Sequence, residues 1–534
     1  MRNFCKTILT ASAALLLVTV SLQAERLANE DLAGLYARNI EQVMRLDPDE
    51  IDIGIASLII AEEWSDVLPG RRYQTMLDDM AYEIQSRLEE QKLTGSYKAV
   101  NVLNDYLHNE MGFKSVKEAT DPNDLFMHTV MDNRRGYCLS LSILYLALAE
   151  RLDIPLYGVV APGHFFVRYD DGRIRFNIET TSGTFPTDEH YIEEFKIAQG
   201  QDGLYMKNLN KLQTLGCLFN NFGTVYMGVN RLDEAQRAME LAVEINPDLA
   251  ESRMNLGSIY MQKDRIDDAI RQFQRVIEIN PLNAGAYNSL GILYWRKNWT
   301  NDAMGAYEQA IRLDPDCADA YINLAVVYSQ IKMYPKALLM LKEAAAIDPG
   351  RGEIYVRRGD IYFKQADYQK ALEEYDTALR INALDANALF ATALCYNKLD
   401  MPKTEIQFYE RALNIAPDMF AARANLGNAY FAQQNYVDAV KHYKVCIQLQ
   451  PDNVTILYNL GAACTNTEDY SQAVIYYQKA LEVEPRMADA HKNLGFAYYK
   501  LQNYNKAYEH FLTAQQLGAD VNEKLLKSIQ RKIR

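Results

Sequence analysis

Three side chains in the first third of the chain could together do nucleophilic chemistry: Cys138, His164 and Glu179. A thiol becomes a nucleophile when a neighbouring base takes its proton. An imidazole serves best as that base when a carboxylate holds its tautomer and stabilises its charged form. Cys138 lies in Arg135-Gly136-Tyr137-Cys138-Leu139-Ser140-Leu141, ahead of an apolar stretch, Ser142 to Leu152, that reads as a helix. The thiol is thereby expected at a helix N-terminus, where unpaired N–H groups and the helix dipole favour a thiolate. Gly136, two residues earlier, allows a sharp entry into the helix.

The histidine and the acid fall on two expected strands. Pro162 to Tyr169 is aromatic and β-branched, and Arg173 to Thr180 alternates cleanly. Asp170-Asp171-Gly172 between them is a hairpin signal. With Asp171-Gly172 as a two-residue turn, Glu179 lies directly opposite His164, and Asn177 opposite Phe166. A three-residue turn instead puts Ile178 or Thr180 opposite the histidine. In the first register Arg173, Arg175, Asn177 and Glu179 share the His164 face, while Ile174, Phe176 and Ile178 turn to the core. Glu179 is the candidate orienting acid and Asn177 the alternative. Each residue also has a plainer reading: a packed thiol, and a strand histidine satisfied by its neighbours. Upstream, Ile51 to Glu63, Tyr73 to Gln91 and Ala99 to Glu110 have helical patterning.

These motifs resemble the transglutaminase-like branch of the papain-type cysteine enzymes. The resemblance makes Cys138 the nucleophile and His164 the general base. Ile178-Glu179-Thr180-Thr181 stands where the family has a hydrophobic-Asp-Pro-Thr run, so Glu179 replaces the family aspartate. Similarity extends to Asp121-Pro122-Asn123 and Leu144-Tyr145-Leu146-Ala147, typical of a bacterial subgroup. Some members of that subgroup lack the cysteine and are thought non-catalytic; this chain retains it. The resemblance implies an α+β domain over residues 25–215 and a cysteine-dependent hydrolase or acyltransferase acting through a thioester on polypeptide amides, with no cofactor.

After residue 215 the chain changes character. A 34-residue period sets Pro247, Pro281, Pro315, Pro349, Pro417, Pro451 and Pro485 in phase, with a small residue at Gly223, Gly257, Gly291, Ala325, Gly359, Ala393, Gly427, Gly461 and Gly495. Alanine recurs at 235, 269, 303, 337, 371, 439, 473 and 507. Four positions after that alanine comes a large residue such as Phe273, Tyr375 or Tyr443. The small residues let two helices approach, the large one fills the remaining space, and proline stops the second helix. The pattern resembles the tetratricopeptide repeat (TPR) and implies an all-α solenoid of nine helical hairpins over residues 216–521, with a cap helix over 522–534. Ala383 replaces the proline and Glu405 the alanine, so a weaker joint is expected near residues 380–410. Asn221, Asn255, Asn323, Asn425, Asn459 and Asn493 form a ladder two positions before the small residue. As in some repeats of this family, such a ladder could hold the backbone of an extended peptide; the plainer reading is a frequent Asn-Leu-Gly run.

Arg2 and Lys6, the apolar run Ile8 to Val20 and Gln23-Ala24 read as a signal peptide over residues 1–24, giving an exported, periplasmic or secreted protein with no integral membrane span after cleavage. A formal net charge of −14 over 534 residues argues against nucleic acid or an anionic membrane surface as the main partner. Cys217, Cys317, Cys395, Cys446 and Cys464 fall at irregular spacings in the repeats and read as packed thiols. The histidines show no ligand spacing, so no metal site is expected. The reading is an exported cysteine domain whose repeats recruit a polypeptide partner or substrate. The alternative is a non-catalytic scaffold that keeps the first domain as a folded module.

Overall fold

The computed structural model describes residues 37–65, 70–116, 121–197 and 205–533. The expected signal peptide, residues 1–24, lies outside them. The chain divides into two compact units between Trp299 and Thr300. Among the described residues, no helix is long and apolar enough to cross a membrane.

The first unit opens with α1 (Ile40–Val43), α2 (Ile53–Trp64), α3 (Gly70–Glu90) and α4 (Ala99–Asn104), which runs into a π-helical stretch at Asp105–Glu110. Then come β1 (Lys114–Ser115), α5 (Met127–Asn133), β2 (Arg135–Gly136), α6 (Cys138–Arg151), β3 (Leu156–Ala161), β4 (His164–Asp170), β5 (Arg175–Ile178) and α7 (Asp188–Glu194). Helix α6 is the core. Every residue from Leu139 to Ala149 is buried, with α2 and α3 against it on one side and the sheet on the other. Such all-round apolarity marks a helix enclosed by its domain. Gly54 on α2 makes room for it, since a Cβ there would lie 3.1 Å from that of Ala147.

Strands β3, β4 and β5 form an antiparallel meander, and β1 pairs with β2 in parallel. Pro162 and Gly163 make the β3–β4 turn, with Gly163 at φ +69°, where glycine carries no steric penalty.

The β4–β5 connection differs from the expected two-residue turn. Asp170 pairs with Arg175, Arg168 with Asn177 and Val167 with Ile178. Asn177 therefore faces Arg168, not Phe166, and neither of the registers expected from the sequence is present. The reason is local: the Asp171 carboxylate accepts the N–H groups of Arg173 and Ile174, closing a four-residue loop. Such Asx bonding competes with the tight turn that Asp-Gly otherwise favours. A two-residue shift preserves side-chain parity, so Glu179 stays on the His164 face.

Five further helices complete the unit: α8 (Lys211–Gly228), α9 (Leu232–Ile245), α10 (Ala250–Gln262), α11 (Ile266–Ile279) and α12 (Ala284–Arg296). Residue 215, where the sequence suggests a domain edge, falls inside α8. Trp64 of α2 packs its ring against Phe219, Phe222 and Tyr226 of that helix at 5.9, 6.0 and 6.0 Å.

The second unit continues the alternation from Thr300–Leu313 to Tyr504–Gln516 and ends on Glu523–Ile533. Here the small residue does what its spacing implies. A Cβ at Gly427 would lie 2.6 Å from the Tyr443 ring, and one at Gly461 2.7 Å from that of Tyr477. At Ala383, where proline is missing, the helix still ends at Ile381, because the Asn382 side chain accepts the N–H of Leu384. Glu405 is buried and accepts from Asn397 Nδ2 at 3.0 Å.

Candidate active site

Cys138 occupies the first turn of α6 as a half-buried free thiol. The helix start is built by Ser140, whose Oγ accepts the Tyr137 N–H at 2.8 Å. Gly136 matters for space rather than for a special backbone angle: a Cβ there would lie 2.7 Å from Ser140 Oγ. The Cys138 carbonyl accepts from Thr180 Oγ1 at 3.2 Å, and that hydroxyl also meets Ser142 Oγ at 2.9 Å. Thr180 follows Glu179 directly, so these bonds tie the helix mouth to the strand end that carries the acid.

His164 begins β4 and donates from Nε2 to Glu179 Oε2 at 2.7 Å. The Cys138 side chain also acts on this ring and favours its charged form. With Nε2 engaged by Glu179, Nδ1 is the ring nitrogen left to take the thiol proton. The three residues read from the sequence thus come together around one imidazole. Burial works against charge on the His164 ring, but its interactions with Cys138 and Glu179 outweigh that and push its pKa up to about 10. Burial likewise works against the Glu179 anion. The bonds from His164 and Thr181 outweigh it, and its pKa falls to about 2. Both directions favour the charged pair.

Asn177, the alternative orienting residue, is engaged elsewhere. Its Oδ1 accepts from Arg168 Nε and its Nδ2 donates to Asp188 Oδ1, both at 2.7 Å. Arg168 is wholly buried and also reaches the Met206 carbonyl and Asp188, each at 2.6 Å. This cluster fixes α7 and the segment after it. Two supports of the acid have no signature in the sequence: Tyr191 on α7 and Asn104 at the end of α4. Asn104 holds the Gly183 carbonyl at 2.9 Å, bracing the turn that carries Thr181, and takes the Tyr145 hydroxyl on its own carbonyl.

The asparagine ladder is half-buried throughout. Asn255 Nδ2 reaches Asn220 Oδ1 at 3.2 Å, Asn459 Nδ2 reaches Asn428 Oδ1 at 3.2 Å, and Asn493 Nδ2 reaches the Tyr458 hydroxyl at 3.0 Å. Each of these acceptors lies on the first helix of the preceding hairpin. Part of the ladder therefore stitches neighbouring hairpins. Among the described residues no group of three or more His, Cys, Asp or Glu side chains could hold a metal ion.

Comparison with known proteins matches residues 71–208 to the transglutaminase-like superfamily. Tetratricopeptide repeat models match residues 218–249, 257–298, 288–351, 356–420, 427–466 and 454–487. A UPF0162 protein of Xylella fastidiosa strain 9a5c is 26% identical over 219 residues, covering 39% of this chain and 76% of that protein. Human F-box only protein 21 is 33% identical over 76 residues, 14% of this chain and 12% of its own. Among solved structures, a tetratricopeptide repeat protein from Parabacteroides merdae covers 46% of this chain and 98% of its own at 16% identity and a TM-score of 0.35. The TPR protein YrrB, described as having an unusual peptide-binding site, covers 35% and 95% at 22% identity and a TM-score of 0.31. The chain joins a transglutaminase-like domain to a long run of tetratricopeptide repeats.

Proposed function

We propose that the transglutaminase-like domain is a cysteine acyl-transfer centre acting on polypeptide amides that the repeats recruit. The observation that carries this reading is the single His164 ring held by Glu179 on Nε2 and partnered by the Cys138 thiol at a helix mouth. His164 takes the thiol proton, and the sulfur adds to the amide carbonyl carbon. The C–N bond then breaks, the amine leaves with the proton from His164, and a thioester remains on Cys138. Water, deprotonated by His164, releases the acid; a primary amine in its place gives a crosslink. The Cys138 backbone N–H is one of the first-turn groups that a helix leaves without an intrahelical acceptor, and it is the candidate donor to the oxyanion. Glu179 acts for the family aspartate, orienting the ring and holding its charge.

The repeats supply a surface for a polypeptide partner, as stacked hairpins do. The basic start, apolar run and Gln23-Ala24 exit of residues 1–24 support export to the periplasm or beyond.

The test is capture of polypeptides from the exported fraction on full-length Cys138→Ser. Captured chains are then offered to the wild type, with a labelled primary amine and mass spectrometry to record hydrolysis, deamidation or crosslinking. Turnover lost in Cys138→Ala supports the reading. Turnover unchanged in that variant would leave the repeats as a scaffold beside a non-catalytic head.

A further inference from the structure

Among the described residues, the donors to the Glu179 carboxylate come from three places, and one of them is a separate helix. Oε1 accepts the Thr181 N–H at 3.1 Å and the Thr181 hydroxyl at 2.5 Å. Oε2 accepts His164 Nε2 at 2.7 Å and the Tyr191 hydroxyl at 2.9 Å. A glutamate has one more rotatable bond than the aspartate usual in the family, so its oxygen needs more restraint to stay in line with the ring.

We infer that Tyr191 is a positioning residue of the cysteine centre: its hydroxyl fixes Glu179 Oε2 so that the carboxylate stays in register with His164. This rests on the proposed acyl-transfer reading. Two features make the tyrosine a fixed donor. Its ring is 2% exposed and stacks on Phe166 at 4.0 Å and 14°. Its helix is pinned one turn earlier, where Asp188 meets the wholly buried Arg168. The hydroxyl is held on the carboxylate by the enclosure around it. The same helix end brings Phe195 over the His164 ring at 5.3 Å and 15°, so α7 restrains both members of the pair. The other ionisable groups facing this pair are Cys138 across the site, Tyr145 on α6, and Arg168 and Glu194 beside Tyr191.

The experiment measures the rate of Cys138 alkylation by iodoacetamide against pH in the full chain, for wild type, Tyr191→Phe and His164→Ala. The phenylalanine variant keeps the stacked ring and loses only the hydroxyl; a matching thermal midpoint establishes that the fold is retained. A carboxylate that drifts from the ring stabilises imidazolium less. Tyr191→Phe is therefore expected to move the high-pH inflection, where the His164 imidazolium loses its proton at about pH 10 in the wild type, down by about half to one pH unit, roughly a three- to tenfold change in that ionisation constant. Reverting that variant to tyrosine is expected to restore the wild-type profile, which excludes a preparation artefact. A high-pH inflection that is unmoved or moves up in Tyr191→Phe, while His164→Ala still changes the profile, overturns the role of Tyr191 and leaves the cysteine centre standing. A His164→Ala profile that superimposes on the wild type overturns both.

Discussion

Glu179 lies one residue past the last β4–β5 pair, Val167 with Ile178, yet its carboxylate meets the His164 ring at 2.7 Å. Continued by one residue, that register sets Glu179 across from Phe166, whose side chain supports Tyr191, and diagonal to His164. The longer acid spans the diagonal distance that a direct pair would not require. Length is thus part of the fit. Glu179→Asp is expected to weaken the His164 contact despite restoring the family residue type, and Glu179→Gln to lower acyl-transfer turnover by on the order of 100-fold. Turnover assays of the two variants on a captured substrate check this.

The pair also makes stability depend on pH, with a definite sign. His164 has a folded pKa raised to about 10, so its contribution is full below the unfolded value near 6.5 and is lost as pH rises through about 10. Glu179 is depressed to about 2, so its contribution is present above the unfolded value near 4.5 and lost as pH falls towards 2. Both describe one interaction, counted once. The difference in unfolding free energy between wild type and Glu179→Gln is therefore expected to peak between about pH 4.5 and 6.5, at about 2 kcal/mol. Denaturant titrations across that range measure it.

Glu405 stands where eight sister copies carry alanine, and burial raises its pKa despite the bond from Asn397. A carboxyl group whose folded pKa lies above its unfolded one costs stability as pH rises past the unfolded value. Glu405→Gln keeps the shape and removes the charge. It is expected to stabilise the folded chain at neutral pH by roughly 1 kcal/mol and to have little effect at about pH 4. Hydrogen exchange over residues 380–410 would show the same gain as slower local opening.

The ladder asparagines have two jobs to separate. Replacing Asn255, Asn459 and Asn493 with alanine removes bonds between neighbouring hairpins, and each loss is expected to cost about 0.5–1.5 kcal/mol. Asn221 makes a cleaner binding probe, and peptide capture requires that Asn221→Ala weaken partner affinity with little change in thermal midpoint. Calorimetry with a captured partner, beside melting curves, distinguishes the two.

What could be read from the sequence follows from where the physics is local. The repeats were legible because Gly427 and Tyr443, like their counterparts, make one contact again and again at a fixed spacing. The helix start at Cys138 and the face shared by His164 and Glu179 were legible because parity and helix entry depend on neighbours in sequence. The hairpin register was not, because the Asp171 side chain chose the loop over the turn that Asp-Gly favours. The left-handed residue between the two helices of a hairpin was hidden as well. Asn230, Lys332, Ala366 and Glu468 all adopt φ near +60°, with no glycine to announce it. Tyr191, Asn104 and the buried Arg168 stayed invisible for a further reason: their partners lie on other elements, and no local pattern encodes them.

Activation of the Cys138 sulfur by His164 underlies the whole proposed chemistry, and site-resolved thiol labelling tests it most directly. Cys217 and Cys395 are buried, with pKa pushed up to about 12, and Cys446 and Cys464 to about 11, so they are slow competitors in the folded chain. Mass spectrometry after brief treatment with a thiol-reactive probe at about pH 6.5 is expected to find Cys138 labelled roughly tenfold or more faster than these four, with that advantage lost in His164→Ala. Equal labelling of Cys138 in the presence and absence of the His164 imidazole would contradict the account.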